Sequence, residues 1–152
     1  MIRYIAGDIL NVTTDYIAQG VAEGNQEGLG TGLALEISRK YPDVQTEFKR
    51  FVRSNNYKGG DIWVCPHTSA RPGFLYLATQ PDMYQAKLSY LRKALRKLSA
   101  VVSKHSINNV YMPKIGAGLG KLSWEKEVKP LYEHYLSECK CQFKVIENYR
   151  KS

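Results

Sequence analysis

Apolar residues recur along the chain at two spacings, every second position or every third to fourth, and the changes between them mark out strands and helices. Ile2 to Ala6 reads as a short strand closed by Gly7-Asp8. Tyr16 to Ala22 reads as a second; it has no charge from Ile17 to Ala22, as expected of a strand covered on both faces. A glycine-rich polar loop follows from Glu23 to Thr31, and then Leu33, Ala34, Ile37 and Tyr41 recur at helical spacing up to Pro42. Asp43 is placed to cap a further helix that carries Val44, Phe48, Phe51 and Val52, and Asn55 to Gly60 breaks it. Asp61 to Cys65 and Phe74 to Thr79 read as strands, separated by a loop with Pro72-Gly73 as its turn.

The longest helical pattern runs from Met83 to Lys104. Tyr84, Leu88, Leu91, Leu95, Leu98 and Val102 make one apolar stripe, with Lys87, Arg92, Lys93, Arg96 and Lys97 on the other faces. Asn109 to Lys114 predicts another strand, ended by a second glycine loop from Gly116 to Gly120. Ser123 then caps a helix with Val128, Leu131, Tyr132 and Tyr135, and Gln142 to Ile146 is a closing strand. Strands alternating with helices imply an α/β fold with a mostly parallel sheet covered by helices. Ligands of such sheets bind beyond the carboxyl ends of strands, where both glycine loops fall.

Composition adds bounds. The 152 residues suit a single domain over 1–152. A net charge of +8 favours anionic partners such as nucleotides or nucleic acid. Three cysteines, Cys65, Cys139 and Cys141, are too few for a disulfide framework and suggest thiols in a cytoplasmic protein. Cys139-Lys140-Cys141 lacks a second pair to complete a zinc site, and neither a metal nor a cofactor is expected. Gly7 and Asp8 interrupt the N-terminus before a signal peptide could form, and no apolar run is long enough for a membrane span. A monomer is expected.

The first glycine loop is Gly28-Leu29-Gly30-Thr31-Gly32-Leu33-Ala34, and it opens a helix. Glycine lets the main chain approach a ligand closely, and N–H groups at a helix start suit phosphate. The alternative is a connection whose glycines only turn the chain. The spacing is neither the dinucleotide G-x-G-x-x-G nor a P-loop. The second loop, Met112-Pro113-Lys114-Ile115-Gly116-Ala117-Gly118-Leu119-Gly120, also lies between strand and helix, so the two could grip a diphosphate from both sides. Lys114 and Lys121 either add charge to it or are solvated. Asp8 either accepts from an adenine amino group or ribose hydroxyl, or caps the next turn.

Gly7-Asp8-Ile9 after the first strand, Gly28 to Ala34 followed by a helix and Tyr41-Pro42, and Met112 to Leu119 with Trp124 downstream resemble the macrodomain family in order along the whole chain. The likeness is nearest to the branch of terminal ADP-ribose glycohydrolases and yeast-type ADP-ribose 1″-phosphate phosphatases. It implies a three-layer α/β/α fold with a mixed, mostly parallel sheet. It also implies binding of ADP-ribose or a derivative. By it, Asp8 contacts the adenine amino group and Ile9 lies beside the adenine; Gly30, Thr31, Gly32 and Leu33 hold one phosphate and part of the distal ribose. Gly116, Ala117, Gly118, Leu119 and Gly120 wrap the other phosphate, and Ile115 is a further ligand-binding residue. Tyr149 either stacks on adenine or has no role.

The chain also departs from that pattern. Many macrodomains end the second strand in valine-asparagine, the asparagine touching the distal ribose; here the pair is Val21-Ala22, and Asn25 is the candidate to take over. The glycohydrolases use a lysine after the fourth strand and an aspartate in the second loop, where this chain has Gln80 and Gly120. An amide nitrogen cannot form a Schiff base and glycine cannot move a proton, so that route is expected to be absent. Remaining candidates are His67, as a general base or a solvated loop histidine; Asp82, as a water-orienting acid or a cap; and Glu23 and Glu27, which near phosphate would point away or hold a water. Three functions follow: an ADP-ribose-binding protein that hydrolyses ADP-ribose 1″-phosphate or an ADP-ribosyl linkage; a non-catalytic reader or sequestering module for ADP-ribosylated protein or nucleic acid; or a nucleic-acid binder acting through the basic 87–97 helix.

Overall fold

The computed structural model describes residues 1–24, 32–82, 84–118 and 120–150. The elements are β1 (Ile2–Gly7), a short 3₁₀ turn (Ile9–Asn11), β2 (Tyr16–Ala22), α1 (Gly32–Lys40), α2 (Pro42–Ser54), β3 (Ile62–Cys65), β4 (Gly73–Gln80), α3 (Leu88–Lys104), β5 (Asn109–Met112), a π turn (Trp124–Val128) running into α4 (Lys129–Leu136), and β6 (Gln142–Tyr149).

The six strands form one sheet in the order β1-β6-β5-β2-β4-β3. Every neighbouring pair is parallel except β3 with β4. On one face, Ala18, Leu75, Leu77, Val110, Phe143 and Val145 pack under α3 and α4 through Leu91, Leu95, Leu98 and Tyr132. On the other, Ile17, Val21, Phe74, Tyr76 and Ala78 pack under α1 and α2 through Ile37, Val44 and Phe48. This is the expected three-layer α/β/α arrangement, and the uncharged Ile17–Ala22 run is indeed covered on both sides. Gln19 is 2% exposed and is the polar exception in that run.

Several boundaries differ from the periodicity. α3 begins at Leu88, later than the expected Met83, which lies outside the described residues. Tyr84 is 74% exposed and outside the apolar stripe. The N–H groups of Ala86 and Lys87 bond to the carbonyls of Gly120 and Thr79, which ties this segment to its neighbours as extended chain and delays the helix. Asp43 lies in the first turn of α2 and does not cap it: Tyr41 holds the cap position with Pro42 at the start, whose missing N–H costs nothing there. β5 stops at Met112 because Pro113 cannot continue the ladder as a donor. β6 runs on to Tyr149, so this residue ends the strand instead of following it.

Two strand irregularities shape the carboxyl edge. The β1–β6 register slips so that Glu147 has no partner residue, and the β2–β4 register slips past Thr79. Such bulges re-aim side chains next to sites.

Candidate functional site

β2 is followed by helices on one face of the sheet, and its neighbour β5 by α4 on the other. Between two strands that send their chains opposite ways a crevice must open, which is where parallel sheets bind ligands. A cleft of about 280 Å³ lies there. The end of β2 (Gln19, Gly20, Val21, Ala22) forms its floor, the start of α1 (Gly32, Leu33, Ala34) one wall and the second glycine loop (Pro113, Lys114, Ile115, Gly116, Gly118, Gly120) the other, with Gln80 at the end of β4.

The floor is bare by necessity. A β-carbon at Gly20 would lie 2.4 Å from Thr79 Oγ1 and 2.7 Å from Ile115 Cγ2, so only glycine lets the second loop sit against β2. Two buried polar atoms here, Gln19 Nε2 and Thr79 Oγ1, have no hydrogen-bond partner among the described residues.

The second loop is held by its own main chain. Ala117 N–H bonds to Lys114 O, Leu122 N–H to Gly116 O at 2.8 Å, and Lys121 N–H to Gly118 O. Gly116 takes φ +82°, which turns the chain at the mouth of the cleft and favours glycine. Among the described residues, no acceptor takes the N–H of Gly116 or Gly118. Unpaired main-chain donors lining a crevice are the groups that bind phosphate oxygens. A β-carbon at Gly118 would meet nothing within 4 Å. One at Gly120 would lie 2.6 Å from Gly116 O and 2.9 Å from Ala86 Cβ, so this loop shape has no room for a side chain at 120.

Farther along the same edge, Asp8 follows β1, whose last residue, Gly7, registers with Tyr149. Asp8 Oδ1 accepts from Leu10 N–H at 3.0 Å, so the capping role is filled. The Tyr149 phenol is 71% exposed and sits above its ordinary pKa, through local loss of solvent and then the negative charges of Asp8 and Glu36.

Of the expected site residues, Gly32, Leu33, Ile115, Gly116, Gly118 and Gly120 thus meet in the cleft. Ala117 turns toward the α3–α4 core instead. Asp8 and Ile9, after β1, and Tyr149, at the end of β6, share the edge but lie beyond β5 from the cleft floor, Ile9 buried against the α1–α2 layer. Asn25, Gly30, Thr31 and Leu119, together with Gly28, Leu29 and Glu27, lie outside the described residues. Ala34, the last residue of the first loop, also lines the cleft, as do Gln19 and Gly20, whose sign in the sequence is the one polar residue inside an uncharged buried strand.

Other candidates resolve by position. Lys114 lines the cleft, whereas Lys121 is exposed beyond it. His67 donates its main-chain N–H to the hydroxyl of Tyr16, at the opening of β2, so it stands at the opposite edge of the sheet and cannot serve this cleft as a base. Asp82 Oδ1 accepts from the N–H groups of Tyr84 and Gln85, capping a turn ahead of α3. The Glu23 carboxylate is turned aside, taking Gly59 N–H at 2.6 Å and the Tyr90 hydroxyl at 3.0 Å.

The family model for the Macro domain matches residues 21–130, from the floor of the cleft through the second loop. The chain belongs to the Macro domain family. The macrodomain of Thermus aquaticus DarG superposes with a TM-score of 0.85 at 22% identity, over 97% of this chain and 98% of that one. Thermosipho africanus DarTG in complex with ADP-ribose superposes at 0.82 with 22% identity, over 95% of this macrodomain and 41% of that chain. In sequence, the chain is 29% identical over 130 residues to the DNA ADP-ribosyl glycohydrolase of Mycobacterium tuberculosis, covering 82% of this chain. It spans about a third (36%) of the length of that relative. Among the described residues, no helix is long and apolar enough to cross a membrane.

Proposed function

We propose that this macrodomain, folded as one domain and acting as a monomer in the cytoplasm, binds ADP-ribose or a derivative, with the diphosphate between the start of α1 and the second glycine loop. What supports this reading is the pair of N–H groups on Gly116 and Gly118 that no acceptor takes among the described residues, on a loop that lines the cleft opposite the start of α1, across a floor where Gly20 leaves no side chain. Asp8 and Tyr149 then take the adenine, toward β1 and β6, and the distal ribose points toward Ala22 and Gln80. Asn25 is proposed to reach that ribose, with Gly30, Thr31 and Leu119 completing the phosphate contacts. The names of the relatives place ADP-ribosylated DNA among the ligands to test, and the net charge of +8 suits an anionic one.

A second reading, a non-catalytic reader or sequestering module, is favoured by one observation: a side chain at 120 would collide with Gly116 O. Together with Gln80 at the end of β4, this leaves the lysine–aspartate route without either group. Hydrolysis would then depend on a water positioned by main-chain donors.

Calorimetric titration with ADP-ribose, NAD and AMP tests the binding. ADP-ribose is expected to bind more tightly than AMP, which has a single phosphate; no heat with ADP-ribose overturns the reading. Incubation with ADP-ribose 1″-phosphate and with ADP-ribosylated DNA or protein separates the two versions. Turnover supports the hydrolase, and binding without turnover supports the module.

A further inference from the structure

Besides its own main-chain bonds, the second glycine loop is braced at its entry by a side-chain hydroxyl. Tyr132, on α4, is 0% exposed. Its Oη donates to the Pro113 carbonyl at 2.7 Å and accepts from the Ile115 N–H at 2.9 Å. Pro113 and Ile115 are the entry to the loop, and both line the cleft. Ile115 N–H also meets Pro113 O at 3.0 Å, so the turn closes on itself at the point where Tyr132 holds it. The Ile115 side chain then reaches β2, its Cγ2 standing 2.7 Å from where a β-carbon of Gly20 would be. This oxygen therefore holds the two residues through which the second loop rests on the floor.

Packing alone does not call for a hydroxyl. The ring of Tyr132 meets Trp124 edge-on at 5.2 Å, a contact that phenylalanine would keep. Burying a hydroxyl is unfavourable unless it is bonded, and here both its donor and acceptor roles are used on the loop. Burial also raises the phenol well above its ordinary range, so the hydroxyl keeps its proton and both roles.

We propose that Tyr132 is a positioning residue for the diphosphate. It touches no ligand; through Pro113 and Ile115 it fixes where the N–H groups of Gly116 and Gly118 point. The proposal rests on the ADP-ribose reading above.

The test is Tyr132→Phe. ADP-ribose and adenosine affinities are measured beside the thermal midpoint, and the amide shifts of Gly116 and Gly118 are read in the free protein. The variant is expected to stay folded, to bind ADP-ribose about tenfold more weakly, and to bind adenosine unchanged, since loss of one hydrogen-bonded hydroxyl is of that order. The Gly116 and Gly118 shifts are expected to move. Unchanged ADP-ribose affinity in a folded variant overturns the proposal, and so does an equal loss for both ligands, which would report general loosening. If the unaltered protein fails to bind ADP-ribose, the proposed function falls, while the two amide shifts still decide the brace. Should Tyr132→Phe not fold, Ile115→Ala removes the contact with β2 and keeps the hydroxyl. Weaker ADP-ribose binding together with moved Gly116 and Gly118 amide shifts in the free variant supports the proposal, and unmoved shifts overturn it.

Discussion

Gly118 is the position where the diphosphate account can be pressed hardest without disturbing the fold. A side chain there would start in open space, with nothing within 4 Å of its β-carbon, and the backbone is not in the left-handed region. Gly118→Gln and Gly118→Glu should both fold within about 0.5 kcal/mol of the parent, as surface changes do. Both side chains have the same size, so the difference between them isolates charge. The cleft, at about 280 Å³, has the volume of a sphere about 4 Å in radius, so a glutamate at its wall stands roughly 5 Å from a bound phosphate. At an effective dielectric of about 20, two unit charges at that distance repel by about 3 kcal/mol, or about two-hundredfold in affinity. Calorimetry with ADP-ribose at low salt should show glutamine weakening binding through its bulk and glutamate weakening it by about two further orders of magnitude. Raising the salt should narrow the gap as screening sets in. Equal affinities for the two variants would mean that no phosphate lies beside Gly118.

Three other substitutions test separate parts of the account. Asp8→Ala removes both a cap to Leu10 N–H and the expected adenine contact. Chemical denaturation should show a loss of about 1 kcal/mol, and calorimetry a loss of about 1–3 kcal/mol in ADP-ribose binding; a loss of stability alone would leave Asp8 a cap. Gly120→Asp should not create a hydrolase: its β-carbon would press on Gly116 O, and a cost of about 1–3 kcal/mol is expected in the thermal midpoint and denaturant curve. Glu147, the unpaired bulge residue of β6, is held below the usual carboxylate range by its bond to Lys129 and then by Trp124 Nε1. Its contribution to stability is therefore present above its unfolded value, near pH 4.5, and lost as pH falls through the lower folded value. Melting curves of Glu147→Gln should lie below the parent at neutral pH and converge with it in acid; a constant offset would refute the linkage.

The parts of the fold that could be read from the chain are those governed by local rules. The uncharged Ile17–Ala22 run announced a doubly covered strand because burial on both faces excludes charge. Ser123 announced a helical start, and its Oγ accepts from Lys126 N–H while Glu127 returns a bond to Ser123 N–H. What could not be read depends on partners distant in sequence. Tyr84 falls in the same helical stripe as Leu88 and Leu91, yet carbonyls of Thr79 and Gly120 claim the N–H groups before α3 can start. The extension of β6 to Tyr149 reflects its pairing with β1, at the far end of the chain. His67 was attractive by residue type, and only the antiparallel course of β3 shows that its loop returns to the edge away from the cleft. At the site, glycine spacing marked the two loops, whereas Gln19 and Gly20 become visible as floor residues only once β2 is set between β5 and β4.

The most direct measurement is the structure of this macrodomain crystallised with ADP-ribose. Phosphate oxygens are expected within hydrogen-bonding distance of the Gly116 and Gly118 amides, with the adenine toward Asp8 and the distal ribose toward Ala22. A diphosphate resting elsewhere on the molecule, with those amides still unclaimed, would contradict it.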